Sequence, residues 1–305
     1  MAHGKLCGLF GIATLALAAR AEAAVTFPGD ASYIPLACEG TRMTDLYADE
    51  AGALMERDIV GDLGAPAGFR ASDATNLYLR LRLDQDPAPG GAVRPFSWGF
   101  EIDLDGNLTD YELLILVSGI GGAGMVSVFT NNTVTLPNDP NDPADQPAVM
   151  AFAFADNGRS TIAGDSSFGG DDDFFLDFAI PWSVLAPLGL DHDTPIFVWA
   201  ASSSTDNSLN GDFACHDGAT GDPLLDAIAS DGTVGDPTLD TDGDGFTDAE
   251  EVSAGSDPLD PNSIPTVRLE GGGGCTTSGG DSLAGALLGI VALARCRRRR
   301  TARSR

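Results

Sequence analysis

Strand-length segments in which apolar and polar residues alternate are the feature that most restricts the fold of this chain. In residues 76–84, NLYLRLRLD, every second side chain is a leucine, and a tyrosine and two arginines occupy the positions between them. A period of two is typical of a β-strand with one face buried and the other in solvent. Residues 98–105, WGFEIDLD, alternate in the same way. Residues 111–119, YELLILVSG, are almost continuously apolar, which predicts a strand that is covered on both faces.

Further strands are predicted in the same part of the chain, and little helical pattern accompanies them. The additional segments are 125–130, 148–155, 174–180 and 195–201. Residues 182–190 could form one helical turn before Pro187, and 42–57 is ambiguous. The connections are rich in Asp, Asn, Gly and Pro, and 137–147, PNDPNDPADQP, predicts a long exposed loop. Because no strand–helix–strand rhythm is present, residues 24–232 predict a mainly β fold, an antiparallel, jelly-roll-like sandwich.

Three of these segments resemble a known family of modules. DATNLYLRLRLDQDP, WGFEIDLDGN and DFFLDFAIPWSVL are similar to strand motifs of family 9 carbohydrate-binding modules and their DOMON-like relatives, over roughly residues 70–205. The resemblance implies a β-sandwich that carries structural calcium and binds sugars or other small ligands. It assigns no sugar-binding residue, because Trp98, Trp182 and Trp199 lie in apolar strand contexts and are predicted to be core residues.

An acidic loop near the C-terminus matches the pattern of a calcium-binding loop. In LDTDGDGFTDAEE, Asp240, Asp242 and Asp244 take positions 1, 3 and 5, and Gly245 takes position 6, where the chain must turn sharply. The remaining predicted ligands are the Phe246 backbone carbonyl, Asp248 and a bidentate Glu251. Without an ion these carboxylates repel one another, so the pattern predicts one bound Ca²⁺. The alternative is an acidic linker that binds no ion.

The flanks of this loop distinguish it from a complete EF-hand. Glycine and proline upstream of the loop exclude an entering helix, and only a short helical turn can follow it. The acidic loop with its Gly255–Pro258 element, GSDP, resembles the bacterial thrombospondin type 3 repeat, here predicted over 236–265 as a single copy.

Two other acidic segments are weaker candidates for metal sites. In 103–112, DLDGNLTDYE, the side chains of Asp103, Asp105, Asn107 and Asp110 resemble calcium ligands. The glycine comes one position too early, however, and Asp-Gly-Asn is also an ordinary hairpin turn. The sequence therefore favours a turn and leaves a second calcium site open. Residues 169–175, GGDDDFF, predict a solvated loop.

Both ends of the chain carry signals for export. Residues 1–23 have a lysine, an apolar run and an Ala-Glu-Ala site, which predicts a cleaved signal peptide; an uncleaved N-terminal anchor is the alternative. Residues 266–281 form a glycine-rich linker around Cys275. The apolar segment 282–294 follows, and then an arginine cluster within 295–305. A helix of those thirteen residues is only about 20 Å long, against a hydrocarbon core of about 30 Å.

The C-terminal tail resembles the MYXO-CTERM class of bacterial surface-sorting signals, in which a cysteine precedes a short apolar helix and an arginine cluster. The glycines are also similar to those of the GlyGly-CTERM class, but Cys275 favours the first. The resemblance implies a sorting protease that processes the tail near Cys275. It also implies that the tail contacts the membrane before processing and that the protein is held on the outer cell surface. An ordinary tail anchor is the alternative.

The charge of the exported part excludes some partners. Residues 24–274 contain 43 acidic residues against eight arginines and no lysine, so the formal charge is −35. Nucleic acids and anionic lipids would be repelled, whereas divalent cations would be attracted. Solubility in a salty exterior also explains this composition.

Few residues of the exported part suggest catalysis. After removal of the two signals the remaining cysteines are Cys38 and Cys215, and their even number in an oxidising compartment predicts a disulfide between the two ends of the main domain. Two buried free thiols are the alternative. His192 and His216 lie in no metal-protease or nucleophile motif, so no enzymatic activity is expected. The sequence therefore predicts a calcium-binding surface module that binds an extracellular glycan or surface protein. The alternatives are a purely structural envelope protein or a secreted hydrolase.

Overall fold

A computed structural model describes residues 24–38, 41–49, 54–191, 194, 196–216, 223–228, 230, 244–246, 256 and 262–264. The chain divides into two units, Met1–Pro265 and Thr266–Arg305. The second unit, with the glycine-rich linker, Cys275 and the predicted C-terminal helix, lies outside the described residues, and so does the predicted signal peptide. Within the residues described, no helix combines the length and apolar character needed to cross a membrane.

The described structure consists mainly of antiparallel strands. They are β1 (Ile34–Pro35), β2 (Ala37–Cys38), β3 (Thr41–Arg42), β4 (Gly68–Ser72), β5 (Asn76–Leu83), β6 (Ser97–Asp103), β7 (Leu113–Ser118), β8 (Met125–Thr130), β9 (Met150–Ala153), β10 (Gly158–Ala163), β11 (Asp173–Pro181) and β12 (Phe197–Ser203). The α-helices are α1 (Phe154–Asn157), α2 (Trp182–Leu185) and α3 (Leu225–Ile228), and short 3₁₀ turns occupy Asp30–Ser32, Pro89–Gly91, Phe168–Gly170 and Ala186–Leu188.

The strands form two five-stranded sheets. The first sheet has the order β1-β4-β5-β11-β10 and the second β12-β6-β7-β8-β9, while β2 and β3 form a separate pair. Alternate apolar side chains of both sheets meet in one core, in which the rings of Phe100 and Phe178 lie 5.9 Å apart. The prediction of a mainly β, antiparallel sandwich is confirmed. The single helical turn expected near residue 182 is α2.

The outer face of the first sheet is buried, contrary to the expectation of a half-buried strand at 76–84. Every residue of β5 is buried, and Arg80 and Arg82 are 1% and 0% exposed. Tyr33, Phe69 and Phe175 belong to the apolar cluster on this face. The prediction that one side of β5 faces solvent was wrong, because residues from distant parts of the chain cover that side. Paired carboxylates make the burial of the two arginines possible.

The outer face of the second sheet is also covered. Strand β7 is buried throughout, as its continuous apolar run predicts. The segment 137–147, which its sequence predicts to be a long exposed loop, buries Asp142 and Ala144, and Ala144 joins the apolar cluster on this face. Trp199 belongs to the same cluster, and its indole N–H donates to the Leu225 carbonyl oxygen at 2.8 Å.

The tryptophans and the predicted cysteine pair are structural. Trp98, Trp182 and Trp199 are 0%, 6% and 1% exposed, as their apolar strand contexts predict. A disulfide joins Cys38 to Cys215 across a sequence separation of 177 residues. Next to it, the Cys215 N–H donates to the Thr44 carbonyl oxygen at 2.9 Å. The disulfide therefore ties the beginning of the sandwich to its end.

Candidate calcium sites

The centre of the predicted calcium loop has the backbone that its sequence pattern requires. Gly245 adopts a φ of +98°, a left-handed conformation that side chains other than glycine rarely adopt. The Phe246 N–H donates to Asp244 Oδ1 at 2.9 Å. These contacts form the tight turn expected at positions 5 to 7 of a calcium loop. The other predicted ligands, Asp240, Asp242, Asp248 and Glu251, lie outside the described residues.

A second acidic group lies in the connection between β6 and β7, at residues 104–112. This connection joins antiparallel strands, as the hairpin interpretation predicts, and Gly106 has a φ of +82°. Asp103 Oδ1 accepts the N–H groups of Asp105 and Gly106 at 2.8 and 2.9 Å. Glu112 Oε2 accepts the Leu104 N–H at 2.7 Å. The turn thus holds the carboxylates at its two ends in fixed positions.

The carboxylates of this connection also converge on one another. One oxygen from each of Asp103, Asp105 and Glu112 lies within 4.8 Å of the other two. Burial and the neighbouring Asp103, Asp105 and Asp110 carboxylates raise the pKa of Glu112 to about 7. Burial and the same kind of neighbour also raise the pKa of Asp110. The group is therefore a concentration of negative charge that any nearby cation would relieve.

A third acidic group was not predicted from the sequence. Asp45, Asp49 and Asp212 place one carboxylate oxygen each within 4.8 Å of the other two, and Asp45 and Asp212 are buried. Asp212 Oδ2 accepts the N–H of Ile59, which fixes it against a third segment of the chain. The spacing of residues in the sequence could not reveal this group, because Asp45 and Asp49 lie near the beginning of the sandwich domain in the chain and Asp212 lies near its end.

Two further buried carboxyl groups of the sandwich, those of Asp58 and Asp84, also have raised pKa values. Burial raises the pKa of Asp58 to about 6, although its carboxylate accepts the Ala48 N–H at 2.9 Å. Burial, followed by the Asp171, Asp58 and Asp173 carboxylates, raises the pKa of Asp84 to about 7. Several carboxyl groups of the sandwich are thus held in positions where ionisation costs free energy.

Comparison with known proteins identifies the C-terminal acidic segment. The family model of the bacterial TSP3 repeat matches residues 240–261. This match confirms the thrombospondin type 3 interpretation of the loop, and repeats of this type are calcium-binding and occur in extracellular proteins. No curated protein matches the chain, and no solved structure matches it. The resemblances of the sandwich to family 9 modules and of the tail to MYXO-CTERM signals stay predictions.

Residues 244–246, the part of the repeat's loop that the structure describes, have the conformation that a calcium-binding loop requires. The left-handed glycine allows the sharp turn, and the Asp244 carboxylate lies beside the backbone of Phe246, whose carbonyl is the predicted ligand at position 7. Asp240, Asp242, Asp244, Phe246, Asp248 and Glu251 would hold the ion through oxygen atoms alone, which is the ligand chemistry that calcium prefers. The bound ion would offset two of the five negative charges of these carboxylates.

Proposed function

We propose that this chain is an exported, calcium-binding β-sandwich protein that is held on the outer cell surface and binds an extracellular ligand. The TSP3 match at residues 240–261 carries the calcium-binding and extracellular parts of this proposal. Surface retention rests on the order of Cys275, the apolar segment 282–294 and the arginine cluster Arg297–Arg300 in the sequence. In this arrangement the repeat separates the sandwich from the sorting tail.

A surface cavity on the first sheet supports the ligand-binding role. Its volume is about 340 Å³, and its lining includes Thr26, Asp73, Asn76, Tyr78 and Asn157. Hydroxyl, amide and carboxylate groups of this kind pair well with a hydroxyl-rich ligand, because each can donate or accept hydrogen bonds. The cavity volume lies at the lower end of the range for small-molecule sites. A small polar ligand such as a sugar unit fits this chemistry.

One observation favours a second function, that of a structural envelope protein without a small ligand. All three tryptophans are buried, and among the described residues Tyr47, 43% exposed, is the most exposed aromatic side chain. The described surface therefore offers no stacked aromatic platform of the kind on which many sugar-binding modules depend. The cavity and the missing platform point to different functions, and a binding experiment distinguishes them.

The calcium part of the proposal is tested by isothermal titration of the full-length chain with Ca²⁺. Glu251→Gln keeps the side-chain size but removes the charge of the bidentate ligand, so we expect an affinity at least tenfold lower, which corresponds to about 1.4 kcal/mol. Glu250→Gln is the matched control, because it makes the same chemical change at the adjacent position, which contributes no ligand. Equal isotherms for wild type and Glu251→Gln would show that the loop is an acidic linker.

The ligand part is tested on a glycan array with the calcium-loaded full-length chain. Thr26 lines the cavity and is exposed, so Thr26→Trp should obstruct the cavity and abolish any signal. Thr133 is exposed and is not one of the residues that line the cavity, so Thr133→Trp should leave the signal unchanged. Absence of glycan binding by the wild type would favour the structural envelope protein instead.

A further inference from the structure

We propose that the connection between β6 and β7 holds a calcium ion of its own, coordinated by Asp103, Asp105 and Glu112. This site belongs to the sandwich and is independent of the TSP3 repeat. It would stabilise the end of the hairpin in the middle of the second sheet. Four observations support the proposal: a buried oxygen, the spacing of the ligands, the charge of the surroundings and the chemistry of the donors.

The first observation concerns the two oxygens of Asp103, a residue that is 0% exposed. Oδ1 accepts two backbone N–H groups and so closes the turn. Oδ2 is equally buried, yet no donor in the described residues reaches it. Burying a carboxylate oxygen without a partner costs several kcal/mol, and native structures therefore provide a donor or a cation. A turn alone needs only Oδ1, so it does not explain the buried Oδ2.

The second observation is the distance between the carboxylates. Two oxygens that both lie about 2.4 Å from one calcium ion can be at most about 4.8 Å apart. The oxygens of Asp103, Asp105 and Glu112 meet this limit for every pair. The hydrogen bond from the Leu104 N–H to Glu112 Oε2 holds the third ligand towards the other two. No pair of these oxygens is therefore too far apart to share one ion.

The third observation is that the charges acting on this group all have the same sign. Asp110 lies in the same connection as Asp103, Asp105 and Glu112. None of the salt bridges among the described residues involves any of these four carboxylates. Elsewhere in the same sandwich the buried Asp177 is paired with arginines, so this group differs from the usual solution in this protein.

The donors indicate the kind of ion. Every candidate ligand is a hard oxygen atom, and the close group contains neither a histidine nor a cysteine, which disfavours zinc, copper and iron. Magnesium usually retains several water molecules and takes only one or two carboxylates, whereas calcium accepts many oxygens in a flexible geometry. Three converging carboxylates therefore favour calcium.

The experiment measures bound calcium in the full-length chain by equilibrium dialysis, and thermal unfolding in calcium and in EDTA. Asp103→Asn retains the Oδ1 acceptor of the turn and removes the charge. We expect it to bind one calcium ion fewer per chain than wild type and to lose part of the calcium-induced rise in Tm. In EDTA its Tm should equal or exceed that of wild type, because a buried like charge has been removed. A purely structural turn predicts no such reversal.

Asp62→Asn is the matched control. Asp62 Oδ1 accepts two backbone N–H groups, from Gly64 and Ala65, both at 2.8 Å, so it forms the same kind of turn, but it is exposed. We expect this variant to bind as much calcium as wild type. Glu251→Gln should weaken binding at the repeat at least tenfold and leave binding at the hairpin unchanged, so the two sites are distinguished.

Glu112→Gln provides a second test at the other end of the turn, should Asp103→Asn fail to fold. It should also bind one ion fewer than wild type. An unchanged calcium count and an unchanged calcium-induced rise in Tm in both hairpin variants, or in Glu112→Gln if it alone folds, would overturn the proposal.

Discussion

The buried charge cluster on the first sheet allows a sharp test of what stabilises its outer face. Asp177 is 0% exposed. Its Oδ2 accepts hydrogen bonds from Arg80 Nη2 at 3.0 Å and from Arg159 Nε at 2.6 Å. Its Oδ1 accepts a hydrogen bond from Arg80 Nε. The Arg80 guanidinium lies between two rings, 3.7 Å from the centre of Tyr33 and 4.0 Å from that of Phe175. Burial lowers the pKa of Arg80, but the bonds and charge of Asp177 outweigh this effect and raise it.

Asp177→Asn should therefore lower the free energy of unfolding by about 3 kcal/mol. Removing one partner of a buried ion pair typically costs about 3–5 kcal/mol, because the other charge remains buried without compensation. The lower end applies here for two reasons: asparagine keeps one acceptor oxygen, and Asp30 still contacts Arg80 at 2.9 Å. For a domain of this size the loss corresponds to a fall in Tm of roughly 6–12 °C.

Asp30→Asn is the matched control for this prediction. Asp30 contacts the same guanidinium, but its side chain is 78% exposed, so its removal should cost at most about 1 kcal/mol. The measurement is urea unfolding at fixed calcium concentration, followed by the fluorescence of the buried tryptophans. A loss below about 1 kcal/mol for Asp177→Asn, or equal losses for the two variants, would refute the reasoning.

A double variant distinguishes the cost of leaving one buried charge unpaired from the net contribution of the ion pair to stability. Arg80→Met combined with Asp177→Leu replaces both charges by apolar side chains, and such replacements are often neutral or stabilising. We expect the double variant to be more stable than Asp177→Asn alone. If it were less stable, the ion pair would contribute net stability, and the expected asymmetry between single and double variants would be wrong.

Three further predictions concern the disulfide, a buried acid and the tail. Cys38→Ser with Cys215→Ser should lose up to about 5 kcal/mol, the chain-entropy value for so long a loop, measured by urea unfolding; an unchanged midpoint would contradict this. Burial and neighbouring carboxylates raise the pKa of Asp84 to about 7. The folded state therefore binds more protons than the unfolded state between about pH 4 and 7. Because of this difference, Asp84 makes the free energy of unfolding fall as pH rises through that window. Asp84→Asn should flatten the fall in unfolding midpoint between pH 5 and 8 in EDTA, and a slope equal to that of wild type would exclude this role. Intact-mass analysis of surface-extracted protein should show that Arg297–Arg300 have been removed, whereas their retention would exclude sorting.

The parts of the fold that depend on local pattern could be predicted from the sequence. The alternating leucines of β5 and the continuous apolar run of β7 predict strands, and both are present. The apolar contexts of Trp98 and Trp199 predict core positions, which both occupy. The glycine at position 6 of the calcium loop predicts a sharp turn, and Gly245 forms it. In each case the physical cause lies within a few residues of its effect.

The parts that depend on distant contacts could not be predicted. Alternation places Arg80 on one face of a strand, but only the tertiary fold brings Tyr33 and Asp177 to cover it. The group containing Asp45 and Asp212 has the same origin, because its two ends belong to segments far apart in the chain. The β6–β7 connection is an intermediate case. Its sequence suggested Asp103 and Asp105 as ligands, but Glu112, which the fold brings close to them, was not among the residues named from the sequence.

The Cys38–Cys215 disulfide has a mechanical consequence. When a chain is pulled from its two ends, the load passes through the bond between the two sulfurs and bypasses the residues between them, which span a sequence separation of 177. Fully extended, a segment of that length would reach roughly 600 Å. The crosslink keeps that length out of the path of the force, so a protein tethered by its C-terminus and stretched from its N-terminus would lengthen only by the segments outside the loop.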